Sequence, residues 1–397
     1  MKPPLVSVLM TVLDGLPFVG EAIASILDQT FEEFELIIVD DGSQDGTWDE
    51  VVAWLAKDAR VVARRNPETL GTSRALNQAL ALARGEFITR QDADDRSVPE
   101  RLALQVGFLR VHPEVGALAT AVVMMDGKGN SQGVWKSPER NDEIQQQLLD
   151  RMCLCGPTLM IRRQALQQAG FRFDEELSYS EDYDLCLRLA EVAELASLGE
   201  PLYQYRQHAG SVSRGKRPLQ MLRKAIGLER ALRRRFAQHP PKPLARVLAR
   251  DYFRAAVLAF ASGDRAAAMD CRARALHWDP AFFDRGDLVG EVVERYMPRG
   301  DAASALRFVE RLFADLLPPS PACSTLKKTI AARWDPARIA AGPARAAESG
   351  RGRNLWNRMA GDGRWLQRLG AWPSRLRLGV RDWGAARAPR RDAGKGS

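Results

Sequence analysis

Three clusters of acidic side chains could do chemistry, and the sharpest of them is Asp92-Ala93-Asp94-Asp95. It follows a short apolar segment, GEFITRQ, that is typical of a β-strand. Carboxylates this close repel one another unless a cation neutralises them, and hard divalent cations take oxygen ligands from carboxylates and phosphates. The alternative is a solvated acidic turn. Asp92 and Asp94 point to the same side of an extended chain. Because they lie at the end of a predicted strand, we favour a site for a divalent metal and a diphosphate.

A second pair of acids, Asp40 and Asp41, ends the apolar run FELIIVD. One interpretation of the turn that follows is a helix-capping loop, in which Asp45 or Thr47 caps the next helix. Capping does not explain two adjacent acids at the end of a buried strand. Such acids could instead accept hydrogen bonds from a base or a ribose.

The third cluster, Glu181 and Asp182, begins the segment EDYDLCLRL, whose leucines are spaced for a helix. The helix dipole stabilises acids at this end, and that alternative accounts for one of the two carboxylates. A carboxylate at the start of a helix beside a metal site could also act as a general base.

Residues 1–213 alternate short apolar runs with segments of helical periodicity, which predicts the scaffold for these acids. The alternation predicts an α/β domain with a doubly wound, mostly parallel sheet, whose ligands bind at the carboxyl ends of the strands. The predicted strands are 5–11, 34–40, 60–64, 85–92, 115–126 and 156–163, and the predicted helices are 17–29, 46–57 and 71–84.

Residues 214–335 lack strand signals and predict an α-helical region. Segment 259–280 resembles a tetratricopeptide hairpin, and segment 300–318 resembles one more weakly. A free-standing solenoid needs about three such units, and this region has two. We therefore favour a helical appendage packed on the first domain, followed by a basic tail, 336–397, that is disordered or membrane-associated. The predicted helices are 217–238, 244–262, 264–277, 285–297 and 301–316.

In order and spacing, four stretches within residues 5–213 resemble the family 2 glycosyltransferases of the GT-A fold. The stretches are VSVLMTVLDG, EAIASILDQTFEEFELIIVDDGSQDGT, GTSRALNQALALARGEFITRQDADD and YSEDYDLCLRL. The resemblance implies inverting transfer of a sugar from a nucleotide-sugar donor to a hydroxyl acceptor, with Mn²⁺ or Mg²⁺ as cofactor. It also implies a glycan or lipid-linked acceptor, in the synthesis of bacterial cell-surface polysaccharide, lipopolysaccharide or glycolipid.

The resemblance further implies which residues bind the nucleotide sugar. Thr11 ends the first strand beside the nucleoside, Asp41 matches the acid that recognises the base, and Asp40 is its neighbour. Arg74 matches a basic residue near the nucleotide, and Asp92 lies nearer the ribose.

The metal and catalytic residues are implied in the same way. Asp94 matches the direct metal ligand of the D-x-D motif, with Asp92 and His208 beside it. His208 lies in a segment, 202–213, that resembles the element closing such domains, although a structural histidine is the alternative. Asp182 matches the general base, and Glu181 is its neighbour.

Three rival interpretations fit the sequence less well. A nucleotidyltransferase would carry a glycine-rich basic loop after its first strand, where this chain has TVLDGLPF. A phosphatase with an aspartate nucleophile would place its D-x-D motif after the first strand and would not have Asp95. The non-enzymatic alternative is a degenerate glycosyltransferase that serves as a scaffold or docking protein through its helical half.

The net charge of +8 is unevenly distributed. Residues 1–213 carry a net charge of −13, whereas residues 214–397 carry +21. Segment 351–391 has eleven arginines, four tryptophans and two acids, a composition typical of contact with an anionic membrane surface. The same composition is equally compatible with a tail that binds no partner, and nucleic acid is less favoured as a partner than a membrane.

Composition and cysteine usage predict the compartment. With 45% apolar and 27% charged residues, the chain is neither a disordered protein nor a disulfide-rich miniprotein. No apolar run reaches the roughly 18 residues of a membrane span, and no signal peptide is recognisable. The five irregularly spaced cysteines fit reduced thiols, with Cys153 and Cys155 as buried residues rather than metal ligands. We expect a cytoplasmic enzyme, peripheral on the inner face of the cytoplasmic membrane.

Overall fold

The computed structural model describes residues 3–208, 210, 216–237, 239–296, 302–317 and 320–333. The predicted tail, including its arginine- and tryptophan-rich segment 351–391, lies outside the described residues.

A mixed sheet of nine strands runs through the first part of the described chain. Its strands are β1 Val6–Val12, β2 Phe34–Asp40, β3 Val61–Arg65, β4 Phe87–Arg90, β5 Arg96–Ser97, β6 Val115–Asp126, β7 Ser131–Trp135, β8 Met160–Arg162 and β9 Glu194–Gln207. The spatial order is β3-β2-β1-β4-β8-β6-β9-β5, with β7 paired to β6. Strands β1 to β4, β6 and β9 run in one direction, and β5, β7 and β8 run against them.

Helices cover this sheet and bury most of its central strands. Every residue of β2 is buried, which explains why β2 reads as an unbroken apolar run rather than an alternating one. The helices are α1 Val19–Leu27, α2 Thr47–Lys57, α3 Thr72–Leu82, α4 Arg101–Val111, α5 Asn141–Leu148, α6 Arg163–Gln168 and α7 Glu181–Leu189. The predicted α/β class is confirmed, and the antiparallel strands β5 and β7 were not predicted.

Six helices follow in the described part of the chain after residue 216. They are α8 Arg217–Phe236, α9 Lys242–Ala261, α10 Arg265–Trp278, α11 Gly286–Tyr296, α12 Ala302–Asp315 and α13 Pro321–Arg333. The five predicted helices are present. Helix α13 was not predicted, because its sequence, PACSTLKKTIAAR, lacks a clear apolar stripe.

Helices α9 and α10 form a helical hairpin, as the resemblance of segment 259–280 implied. Gly263 has a φ of +88° and turns the chain between them. The side chain of Asp264 then caps α10 by accepting a hydrogen bond from the backbone N–H of Ala267, at 2.9 Å. None of the helices in the described part of the chain has the length and apolarity needed to span a membrane.

Candidate active site

A cleft of about 980 Å³ opens where β1, β2 and β4 end, and the three acidic clusters meet in it. Asp41 comes from the end of β2, Asp92 and Asp94 follow β4, and Glu181 and Asp182 begin α7. Parallel strands bring their carboxyl ends to the same edge of the sheet, so residues far apart in sequence become neighbours.

The loop after β4 presents Asp92 and Asp94 to the cleft, with about a third of each side chain exposed. The Nε2 atom of His208 lies 3.0 Å from Oδ2 of Asp94. The guanidinium of Arg206 donates to the backbone carbonyl of Asp94 at 2.7 Å, which fixes the loop. Burial raises the pKa of Asp92, and the charge of Asp94 raises it further, against the lowering effect of Arg90.

Asp95, the third acid of this loop, turns away from the cleft. It is 1% exposed, and its Oδ1 accepts a hydrogen bond from the backbone N–H of Arg206 at 2.7 Å. Burial raises its pKa well above the ordinary value, with Asp92 and Asp94 adding to the effect. The loop therefore directs two of its three carboxylates at the cleft.

Glu181 and Asp182 lie in the first turn of α7. Burial raises the pKa of Glu181 to about 7, because Asp182 adds to the effect and Arg90 offsets only part of it. The pKa of Asp182 is also raised by burial and lowered in part by Arg90. A carboxylate with a raised pKa is the kind of group that accepts a proton in catalysis.

Arg90, at the end of β4, was not singled out from the sequence, yet it joins two of the clusters. Its guanidinium lies 3.2 Å from Oδ1 of Asp92 and 3.6 Å from Oε1 of Glu181. These acids raise its pKa against the lowering effect of burial. One sequence pattern could have identified Arg90, because it is a cation two residues before an acid at the end of a predicted strand.

Gly156 was also missed, and it packs directly against Asp182. A Cβ atom at this position would lie 2.6 Å from Oδ2 of Asp182. Gly156 begins a short turn, Gly156–Thr158, that lines the cleft. A glycine in a loop carries no sequence signal for such a contact.

Thr11 and Asp41, both predicted to bind the nucleotide, line the cleft. The carboxylate of Asp41 accepts hydrogen bonds from the side chain of Asn66 at 2.8 Å and from the backbone N–H groups of Leu70 at 3.0 Å and Gly71 at 2.8 Å. Asp41 therefore shapes the wall of the cleft through the 66–71 turn.

Asp40 and Arg74, the other two predicted nucleotide-binding residues, do not line the cleft. Asp40 is fully buried and pairs with Arg65 at 3.1 Å. Arg74 is exposed on α3 and pairs with Glu175 at 2.8 Å. Their roles in nucleotide binding stay predictions.

Two carboxylates in the cleft, those of Asp92 and Asp94, are candidate ligands for a divalent metal. Among the described residues, no three His, Cys, Asp or Glu side chains converge into a ready-made metal cage. A Mg²⁺ ion does not need such a cage, since it is commonly held by one or two carboxylates, with water and substrate phosphates as further ligands. The carboxylates of Asp92 and Asp94 fit that donor set.

Comparison with known proteins identifies the family. Residues 7–170 match the sequence model of the family described as Glycosyl transferase family 2. The chain is 31% identical over 211 residues to an uncharacterized glycosyltransferase of Methanocaldococcus jannaschii, covering 52% of this chain and 72% of that relative. The chain belongs to glycosyltransferase family 2.

Two further proteins resemble this family 2 glycosyltransferase. It is 28% identical over 214 residues to UDP-Glc:alpha-D-GlcNAc-diphosphoundecaprenol beta-1,3-glucosyltransferase WfaP of Escherichia coli, covering 53% of this chain and 81% of WfaP. It superposes on S. aureus TarS 1–349 in complex with UDP with a TM-score of 0.50 and 19% identity, covering 86% of this chain and 93% of that one. The likeness to TarS shows the fold, and the expected GT-A fold with helices after it is confirmed.

Proposed function

We propose that the protein is a metal-dependent, inverting hexosyltransferase that moves a sugar from a nucleotide-diphosphate sugar to a hydroxyl acceptor. Residues 1–213 are the proposed catalytic domain. The observation that carries the proposal is that Asp92, Asp94 and Asp182 line one cleft together with the cation Arg90.

Asp182 is the proposed general base. Asp182 lines the same cleft as Asp92 and Asp94, and the charge of Arg90 acts on both Asp92 and Asp182. A sugar in this cleft could be held between the leaving diphosphate and the incoming hydroxyl. A single displacement from the opposite face of the anomeric carbon inverts its configuration, and one carboxylate suffices to take the hydroxyl proton. Oε1 of Glu181, whose pKa burial raises to about 7, lies 3.6 Å from the guanidinium of Arg90.

The proposed metal is Mn²⁺ or Mg²⁺, held by Asp94 with Asp92 and His208 beside it. When bound, it would neutralise the charge that develops on the leaving diphosphate. Arg206 fixes the backbone at Asp94 through its hydrogen bond to the carbonyl, and Arg90 lies 3.2 Å from Oδ1 of Asp92. Thr11 and Asp41, which line the cleft, are the proposed contacts of the nucleoside.

The proposed acceptor is a glycan or lipid-linked sugar in the synthesis of a bacterial cell-surface polysaccharide or glycolipid. Support comes from WfaP, whose name specifies a diphosphoundecaprenol-linked acceptor. The cleft also has an apolar side suited to a sugar ring or lipid, which includes Met124, Trp135 and Leu154. A lipid-linked acceptor would bring the enzyme to the inner face of the cytoplasmic membrane.

The variant Asp182→Asn tests the proposed mechanism. We expect kcat to fall about 10²- to 10⁴-fold, because an amide cannot take the acceptor proton, while donor affinity in the presence of Mn²⁺ stays near the wild-type value. Steady-state transfer assays measure kcat, and calorimetry measures donor affinity. Asp142→Asn, an exposed acid on α5, is the matched control and should leave both unchanged. Wild-type kcat in Asp182→Asn would exclude Asp182 as the base.

A further inference from the structure

Helix α8 of the helical region holds the α7 segment at both ends. The guanidinium of Arg223 donates to the carbonyl of Ser178 at 2.8 Å, just before α7 begins. That of Arg235 donates to the carbonyl of Leu187 at 2.8 Å, near the end of α7. Between them, Gly227 brings the two helices close, since a Cβ there would lie 3.7 Å from Cβ of Asp184. The helix that carries Asp182 is therefore attached to the helical region along its length.

The helical region also holds the loop that leads to Gly156. The Nζ atom of Lys224 donates to the backbone carbonyl of Asp150 at 2.9 Å. From α9, Arg250 donates to the carboxylate of the same residue at 2.6 Å. Residues 152 and 154–156 then line the cleft, and Gly156 rests on Asp182. Asp182 lies on α7, which α8 holds, and it contacts Gly156, which follows the loop that α8 and α9 hold. Both elements that position Asp182 are therefore attached to the helical region.

A buried group of charges connects these contacts. Asp251 of α9 is 0% exposed and lies among Lys224, Arg250 and Arg254. Burial alone would raise the pKa of Asp251, but the three cations hold it well below its ordinary value. Burying so many charges is costly, and a buried ion pair is weak support for stability as such. The arrangement is better explained by the geometry that it imposes on the Asp150 loop.

We propose that Lys224, Arg250 and Asp251 are positioning residues of the transferase, which hold the 148–156 loop against Asp182. The helical region is then part of the catalytic unit and more than an appendage. The inference rests on the proposed role of Asp182 as the general base. The three positioning residues lie beyond residues 7–170, the part of the chain that matches the family.

Lys224→Met tests the inference, because methionine keeps much of the buried volume and removes the bond to Asp150. We expect kcat to fall about ten- to a hundredfold, since small displacements of a catalytic group are costly. The affinity for the nucleotide sugar with Mn²⁺ should stay within about twofold of wild type, because the donor side of the cleft is untouched. Arg265→Met is the matched control, since Arg265 pairs with Asp315 inside the helical region; its kcat should not change.

A second variant keeps the test decisive if Lys224→Met folds poorly. Lys224→Met/Asp251→Asn removes one charge of each sign and leaves Arg250 paired with Asp150 and Arg254 paired with Glu291. The same loss of kcat with retained donor affinity supports the inference. Wild-type kcat in either folded variant, or an equal loss of kcat and donor affinity, overturns it. Asp182→Asn, assayed in parallel, shows separately whether the proposed base is wrong.

Discussion

At the scale of single residues, Asp182 depends on the absence of a side chain at Gly156. The chain closes over the carboxylate so tightly that a Cβ would lie 2.6 Å from Oδ2 and 2.9 Å from Cβ of Asp182. Real Cβ atoms do not approach other atoms that closely, so either the loop or the carboxylate would have to move. Gly156 therefore restrains the group that we propose as the base.

The prediction at this scale concerns Gly156→Ala. We expect kcat to fall at least about tenfold, because a displaced base loses its alignment, with donor affinity unchanged and stability lowered by about 1–3 kcal/mol. Transfer assays and thermal unfolding measure these effects. The control is Gly107→Ala on α4, where a Cβ meets nothing within 4 Å; it should keep kcat and gain up to about 1 kcal/mol. A fully active Gly156→Ala would refute the restraint.

At the scale of elements, one buried arginine ties together β4, α4 and the Gly156–Thr158 turn. Arg101, which is 0% exposed, donates to Oγ1 of Thr89 at 2.7 Å and to the carbonyl of Pro157 at 2.7 Å. It also donates to the carbonyl of Arg90 at 3.0 Å. Burial lowers the pKa of Arg101 to about 10, so it keeps its proton at neutral pH. This side chain therefore links the Gly156–Thr158 turn, which packs against Asp182, to β4 and α4.

Arg101→Met should therefore destabilise the fold by about 3 kcal/mol or more, because it leaves several buried acceptors without donors. Urea unfolding, followed by circular dichroism, measures the free energy of unfolding. Arg110→Met, an exposed position on the same helix, should change it by less than about 0.5 kcal/mol. Equal unfolding free energies for the two variants would show that the Arg101 bonds contribute no net stability.

At the scale of the whole molecule, charge is divided between the two parts of the chain. Residues 1–213 carry a net charge of −13, and the cleft collects several of the acids, including Asp41, Asp92, Asp94 and Asp182. A cleft this acidic repels a diphosphate unless a cation accompanies it. Donor binding by this protein is therefore expected to require a divalent metal.

Asp94→Asn and metal removal test that expectation together. A thermal-shift panel of nucleotide sugars with Mn²⁺ first selects the donor, since the ligand that binds best stabilises most. For that donor, we expect calorimetric affinity to fall at least about tenfold, or ~1.4 kcal/mol, in Asp94→Asn. Chelation of the metal from the wild type should weaken binding to the same extent. Asp49→Asn, an exposed acid on α2, is the control. Unchanged affinity in Asp94→Asn would remove Asp94 from the metal site.

The sequence alone predicted the α/β class, the five helices between residues 217 and 316, and the acids that follow the strands, of which Asp41, Asp92 and Asp94 line the cleft. These features depend on local periodicity and on acids at strand ends, both of which can be read within short windows of sequence. The residues that sequence analysis missed act over long separations. Arg101 reaches Pro157 from 56 positions away, and Lys224 reaches Asp150 from 74.

What the tertiary structure decided is how the acids are held. The acids can be recognised in the sequence by residue type and spacing, because carboxylates that lie close together repel one another in any fold. Their supports, Arg90, Gly156 and Lys224, are ordinary residues whose function depends on what packs against them. Only the folded chain brings those partners within bonding distance. Hydrogen bonds and ion pairs act over a few ångströms in space, and the sequence does not show which distant residues come that close.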